Sequence, residues 1–328
     1  MGHTLGIDLG GTKVLAGVVD TKSGKVLSSA KKRSKAEHTA SDIVERLIEA
    51  GKEALNGAGD HGKNVERIGI GVAAQIDRKT GVVINAPNIA GLRQFKLAQV
   101  VEKELGHPVN LFNDVEAGAA GEAAFGAGKG HKNFIVIFVG TGIGGAIYQN
   151  GKPYTGQTGT AGEVGHTTID FNGRVCGCGG LGHLEAYASR TAVVRTILSA
   201  LHAGRPSVLR EIAANANPND PGGSGIRSGA LSEALSQGDD LTSEMITMAA
   251  RYLGAGLSSL INFYNPHLII LGGGLIEAVD LFFSVASTQA RQNALPTPRR
   301  DVNIVKAGLG DNAGIVGAAY LAGGARAA

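Results

Sequence analysis

Short apolar runs, each closed by glycine or a polar turn, recur along the whole chain. "TLGID" (4–8) meets the turn "LGGTK", "VLAGVVD" (14–20) follows, and after "TKSG" comes "KVLSSAKKR" (25–33). Runs of this kind between glycine turns predict strands, here three in an antiparallel meander. The period then changes. Ile43, Val44, Leu47, Ile48 and Leu55 recur at helical spacing over 41–55, with Ser41 placed as the N-cap. "RIGIGVA" (67–73) and "PVNLFN" (108–113) read as buried parallel strands, with a helix between them near 95–105.

The opening pattern then returns. "NFIVIFVG" (133–140) meets the turn "TGIGG", and the strand "AIYQ" follows. Strand, glycine turn, strand thus occurs twice, hinting at a duplicated α/β domain with a phosphate-sized turn in each half. The second half is richer in helix, expected over 185–201, 206–215, 228–237 and 241–264. "NANPNDPGGSG" (215–225) reads as a surface loop, "HLIILGGGL" (267–275) as a buried strand ending in glycines, "VNIVKAG" (302–308) as the last strand and 312–322 as the last helix. The expected division is an N-terminal α/β domain over 1–120, completed by the last helix (312–328), and a C-terminal α/β domain over 121–311.

Composition narrows the function classes. Of 328 residues, 43% are hydrophobic, enough for a large core, and 18% are charged with a net charge of +3. That small excess shows no nucleic-acid patch, and the one basic cluster, "KKRSK" (31–35), suits a solvated strand end. The N-terminus lacks the charged-then-apolar order of a signal peptide, and Gly6 stands where myristoylation needs Ser or Thr. The most apolar run, 134–148, is too short and glycine-rich to span a bilayer. A soluble, cytoplasmic protein with neither nucleic-acid nor membrane partner is expected.

Chemistry gathers at a few places. "GTGIGG" (140–145) has the glycines of a dinucleotide loop, but a strand follows where that loop needs a helix. "GIDLGGTK" (6–13) is close to a P-loop, with Thr12 where the lysine belongs. What remains is a pair of glycine hairpins whose backbone N–H groups could cradle phosphates. Asp8 could hold magnesium through water, and Lys13 could meet phosphate charge. In "LFNDVEAG" (111–118), Asn113 and Asp114 stand where a strand becomes a helix, at the strand end where open α/β sheets bind ligands. Asp114 there is either a helix cap or a proton acceptor in phosphoryl transfer. The only two cysteines, Cys176 and Cys178, lie one glycine apart in "CGCGGLGHLE", with His166 before them and His183 after. By spacing alone they read as free thiols.

"GIDLGGTK", "FNDVEA", "GTGIGGA", "GEVGH", "CGCGGLGHLE" and "LGGG" occur in the order found in the ROK family, and the chain resembles the bacterial-type, ATP-dependent glucokinases of that group from about residue 5 to the last helix. The resemblance implies the actin-like, ribonuclease-H-like duplicated fold and transfer of the γ-phosphate of ATP, with magnesium, to the 6-hydroxyl of glucose or a related hexose. It implies Asp114 as general base and Asn88, Asn113, Glu163, His166 and Glu185 as partners of the sugar hydroxyls. Gly10, Gly11, Thr12, Thr141 and Gly142 would face the phosphates, and Gly273 and Gly274 the adenosine. His166, Cys176, Cys178 and His183 would bind a structural zinc, and the chain would form a homo-oligomer, dimer or tetramer. Two departures stand out. Family members usually have a third cysteine where this chain has His183, and many have a small glycine-containing loop where "VAAQID" (72–77) places Gln75. Sugar ligands before and after residue 120 predict closure of the halves on the sugar. N-acetylmannosamine, N-acetylglucosamine, allose or fructose as the sugar, polyphosphate as the donor, and a non-catalytic sugar sensor are the alternatives.

Overall fold

The computed structural model describes residues 2–11, 13–33, 39–86, 89, 91–213 and 225–324. The chain divides into two compact units, one of Met1–Gly130 with Gly308–Ala328 and one of His131–Ala307. The boundary expected near residue 120 falls inside the Asp114–Phe125 helix, and the observed division lies beyond it. That helix cannot be cut there, because it packs backbone to backbone against the Ala313–Ala322 helix: a Cβ on Gly317 would fall 1.6 Å from Ala117 O.

In the first unit, β1 (His3–Leu9), β2 (Lys13–Asp20), β3 (Val26–Arg33), β4 (Val65–Val72) and β7 (Val109–Asn113) form one sheet in the order β3-β2-β1-β4-β7. The three N-terminal strands pair antiparallel, whereas β4 and β7 run parallel to β1. β5 (Gln75–Asp77) and β6 (Val82–Asn85) make a separate hairpin that carries Gln75. Alternation along β2 shows why the sheet is covered on both faces. Val14, Ala16 and Val18 belong to the core with the Ala40–Gly57 helix, while Leu15 and Val19 pack with Ile315, Val316 and Ala319. The second helix lies almost on the sheet backbone, because a Cβ on Gly6 or Gly69 would fall about 2 Å from a carbonyl oxygen of Ile315 or Ala318.

The Ala40–Gly57 helix begins one residue before the expected cap. Thr39 caps it: Asp42 N donates to Thr39 Oγ1 at 3.3 Å, and Thr39 N donates to Asp42 Oδ2 at 2.8 Å. Ser41 already lies in the first turn. Glu122, fully buried, braces the two chain segments near the unit boundary. Its Oε2 accepts from Ala127 N at 2.8 Å and Gly308 N at 2.9 Å, and its Oε1 accepts from Leu309 N at 2.8 Å.

In the second unit, β8 (Phe134–Val139), β9 (Ile143–Gln149), β10 (Lys152–Tyr154), β11 (Leu268–Gly272) and β12 (Asn303–Lys306) are ordered β10-β9-β8-β11-β12. β8, β9 and β10 pair antiparallel, and β11 and β12 run parallel to β8. Strand for strand this repeats the first sheet. The Asp240–Tyr264 and Asp280–Asn293 helices supply much of the core around it.

Two helix expectations and one strand expectation need correction. The stretch 185–201 is broken into Glu185–Ala188 and Arg190–His202, because Ser189 leaves the helical backbone to accept from Ala192 N at 3.1 Å. Of 206–215, Arg210–Ala213 is helical among the described residues, and the loop expected at 215–225 lies outside them apart from Gly225. The strand expected over 267–275 stops at Gly272, and Gly274–Ala278 turns as a helix. No helix of the described residues is long and apolar enough to cross a membrane.

Candidate functional site

The first glycine turn links β1 to β2 and is closed by Gly10 N donating to Lys13 O at 3.1 Å. Asp8 precedes it on β1. Burial first, and then the negative charge of Asp114, push the Asp8 carboxyl up from 3.8 to about 7, against the pull of Lys13. Lys13 Nζ lies 2.7 Å from Asp311 Oδ1, so the sequence-distant Asp311 joins the turn; the Lys13 hydrogen bond holds its carboxyl below the usual range. Thr12 lies outside the described residues, as does Asn88.

Asn113 ends β7 with an extended backbone, and its Oδ1 accepts from Val115 N at 3.0 Å and Glu116 N at 3.2 Å. The cap is therefore Asn113. Asp114 is the first residue of the helix, so capping does not explain it, and its carboxylate sits at the positive end of the helix dipole. β4 packs closely on this first turn and a half of helix: a Cβ on Gly71 would lie 3.2 Å from Ala117 Cβ.

In the second unit, Gly140 N donates to Gly142 O at 2.9 Å and closes the second glycine turn. Glu185 comes to this turn from outside: its Oε2 accepts from Ile143 N at 2.8 Å, and a Cβ on Gly142 would fall 2.4 Å from that oxygen. Arg190, which the sequence reading does not single out, donates from Nη2 to Thr141 Oγ1 at 2.8 Å and from its backbone N to Gly140 O at 2.9 Å. Gly273 has φ +90 and presses against the same region, with a Cβ there falling 2.6 Å from Val139 O.

The cysteine loop is tied to that turn through Glu185. Glu163 is exposed just before a short turn, Val164–His166. Bridges Thr168↔His183 and Val175↔Leu181, with Cys176 N donating to Gly180 O at 2.8 Å, fold the loop back on itself. Cys176 Sγ donates to Glu185 Oε1 at 3.6 Å and lies 3.8 Å from His166 Nδ1, while Cys178 Sγ lies 3.2 Å from His183 Nδ1. Ligand atoms of all four residues fall within 4.8 Å of one another. Zinc bonds of about 2.0–2.3 Å in a tetrahedron separate ligand atoms by roughly 3.3–3.8 Å, so the donor set of two thiols and two imidazoles suits zinc, and binding would draw the ligand atoms in by up to about 1 Å. Burial pushes the Cys176 thiol up to about 11, so a metal bound there must displace its proton.

The sequence profile of the ROK family matches residues 4–325. The chain belongs to the ROK family. It is 38% identical over 325 residues to a glucokinase of Streptomyces coelicolor, covering 98% of each chain. It is 31% identical over 317 residues to a glucokinase of Thermotoga maritima, covering 97% of this chain and 96% of that one. Among solved structures, a ROK glucokinase of Streptomyces griseus in complex with glucose and AMPPNP superposes with a TM-score of 0.82 at 38% identity, over 98% of this chain and 99% of that one.

The two repeated sheets are thus the actin-like duplication of the ROK sugar kinases. Within this ROK protein the candidate residues fall into two sets. Asp8, Gly10, Gly11, Lys13, Asn113 and Asp114 lie in the first unit, and Thr141, Gly142, Glu163, His166, Cys176, Cys178, His183, Glu185, Gly273 and Gly274 in the second. Asp311 and Arg190 are the additions. Each reaches its turn from a distant segment, a relation no local spacing reveals.

Proposed function

We propose that this ROK protein is an ATP-dependent hexose kinase that phosphorylates glucose on its 6-hydroxyl. The observation that carries the reading is the place of Asp114: Asn113 supplies the cap, and Asp114 follows at the carboxyl end of β7, close enough for its charge to act on Asp8 beside the first glycine turn. The glucokinase relatives and the glucose and AMPPNP complex of the Streptomyces griseus enzyme support both substrates.

In this reading Asp114 accepts the proton of the 6-hydroxyl as that oxygen bonds to the γ-phosphorus and the bond to the departing ADP breaks. Asn113 has its Oδ1 occupied by two backbone amides and offers its side-chain nitrogen to the sugar. His166 turns Nδ1 toward Cys176, which leaves Nε2 for a hydroxyl. Glu163, Glu185 and Asn88 complete the sugar set. Backbone groups of Gly10, Gly11, Thr12, Thr141 and Gly142 receive the phosphates, and Gly273 and Gly274 face the adenosine. Asp8 would hold magnesium through water; bound there, the ion neutralises phosphate charge. His166, Cys176, Cys178 and His183 would hold a structural zinc, which fixes the loop behind Glu185.

A coupled assay over glucose, mannose, fructose, allose, N-acetylmannosamine and N-acetylglucosamine, with ATP and polyphosphate as donors, tests the reading. Glucose with ATP should give the highest kcat/KM. A higher value for an N-acetylhexosamine would replace the substrate, and no turnover with any pair would overturn the activity.

A further inference from the structure

The Glu185–Ala188 helix is a single turn. A helix that short has no stability of its own, so its position comes from what it is tied to. One tie is Cys176, whose thiol donates to Glu185 Oε1. The other is Tyr187, two residues further on and 4% exposed. Its hydroxyl accepts from Arg174 N at 2.6 Å and donates to Asp170 Oδ2 at 3.0 Å, so its polar group is engaged in both directions. Both bonds go to one turn of the cysteine loop, residues 170–174, which Gly173 N closes by donating to Asp170 O at 3.2 Å. The ring is gripped as well. The Arg174 guanidinium lies 4.9 Å from its centroid, and the ring of Tyr252, from the Asp240–Tyr264 helix, lies 4.5 Å away at a tilt of 42°. Arg174 Nη1 also donates to Thr196 Oγ1 at 3.3 Å.

Two glycines permit this approach. A Cβ on Gly173 would fall 1.9 Å from the Tyr187 oxygen, and one on Gly182 would fall 1.6 Å from Asp170 O. Gly182 N donates to Arg174 O and Ile169 N to Gly182 O, each at 2.8 Å, so the returning chain closes over the turn. None of these bonds uses a side chain of His166, Cys176, Cys178 or His183. The loop therefore has two halves. Residues 169–174 and Gly182 rest on Tyr187. Residues 176–180 carry the thiols, with Cys176 N on Gly180 O at 2.8 Å and Gly179 N on Cys176 O at 2.9 Å.

We infer that Tyr187 is a positioning residue for the sugar site, a second anchor of the cysteine loop that works without the metal. It fastens the 170–174 turn to the helix whose first residue is Glu185, and so fixes where that carboxylate stands. The tolerance there is narrow. Glu185 Oε2 accepts from Ile143 N at 2.8 Å, and a Cβ on Gly142 would fall 2.4 Å from the same oxygen. A one-turn helix released from Tyr187 would keep only its Cys176 tie on the loop side, and Glu185 would sample positions away from the acceptor.

The effect on sugar rests on the kinase reading, so the anchor itself is measured without turnover, by amide hydrogen exchange resolved to single residues in the full chain. Tyr187→Phe keeps the ring and takes the acceptor from Arg174 N. Exchange at Arg174 should quicken roughly ten- to a hundredfold, while Cys176 and Gly179 stay within about threefold and zinc content matches wild type. Stripping metal from wild type with a chelator should give the reverse, with faster exchange at Cys176 and Gly179 and protection kept at Arg174 and Gly182. In turnover, Tyr187→Phe should raise glucose KM about three- to tenfold and leave ATP KM and kcat within about twofold, a split that general loss of folding would not give. Arg174→Gln, at an exposed position, should raise glucose KM about twofold, and it carries the test if Tyr187→Phe folds poorly. Unchanged exchange at Arg174 in Tyr187→Phe, or release of Arg174 and Gly182 by the chelator, would overturn the anchor. Faster exchange at Arg174 with unchanged glucose KM would overturn the positioning role. In a protein that phosphorylates no sugar, the kinase reading and the positioning role fall together, and the exchange pattern alone decides the anchor.

Discussion

The loop between β1 and β2 and the loop between β8 and β9 occupy the same place in two sheets of identical order, yet they are chemically unlike. The first is flanked by Asp8 and Lys13, with Asp311 added from the far end of the chain and Asp114 acting on Asp8. The second, Gly140, Thr141 and Gly142, carries no charge of its own and receives Glu185 and Arg190 from the segment that follows the cysteine loop. Apolar alternation settles the sheets, and the same alternation serves both units. What distinguishes them is which side chains are brought to the strand ends. The first unit gathers carboxylates, groups suited to moving a proton and attracting a metal cation. The second gathers guanidinium, imidazole and thiol around the one carboxylate of Glu185, groups suited to fixing a loop.

If that division is functional, the largest effect belongs to Asp114. Asp114→Asn keeps the size of the side chain and the helix start, since Asn113 supplies the cap. It removes the proton acceptor. We expect kcat to fall roughly a hundred- to ten-thousandfold, with glucose affinity measured by calorimetry almost unchanged. Near-normal kcat would break the comparison by leaving the first unit without a catalytic carboxylate.

The second unit should answer differently. His183→Ala removes one of four ligand atoms grouped around Cys178 and His166. The purified protein should contain about one zinc per chain, the variant less, and zinc affinity should drop about ten- to a hundredfold. Because the loop is tied to Glu185 through Cys176, glucose KM should rise severalfold while ATP KM moves little. Active protein without zinc would reduce the loop to a hydrogen-bonded turn.

The same division shows what a sequence discloses. Both sheets are legible because their strands are short apolar runs closed by glycine, a pattern that local sterics impose. "ND" is ambiguous, since either residue caps helices well; only the extended backbone at Asn113 decides the question in favour of Asn113. The Asp280–Asn293 helix escapes because its buried face is Phe282, Ala286 and Ala290, and alanines barely register in an apolar pattern. The break at Ser189 is hidden by apolar periodicity that continues across it. Cys176, Cys178, His166 and His183 are close in sequence and therefore visible as a group, although spacing alone favours free thiols. Asp311 and Arg190 reach their partners from separate segments, and only the tertiary fold brings them there.

The smallest effect expected is one of pH. In the free protein, burial and then Asp114 raise the Asp8 carboxyl from 3.8 to about 7. The unfolded chain ionises this group near 3.8, so the folded state retains the proton between those values. The stability that Asp8 contributes is complete below about pH 4 and is lost as pH rises through about 7. Asp8→Asn has similar shape and no charge to desolvate. In metal-free buffer it should match wild type in urea unfolding near pH 4 and exceed it at pH 8, by roughly 1–4 kcal/mol. Thr141→Ala, in the uncharged second turn, should shift stability by the same amount at both pH values. A pH-independent difference for Asp8→Asn would mean that the first turn is as neutral in effect as the second, and the contrast between the two units would then rest on Asp114 alone.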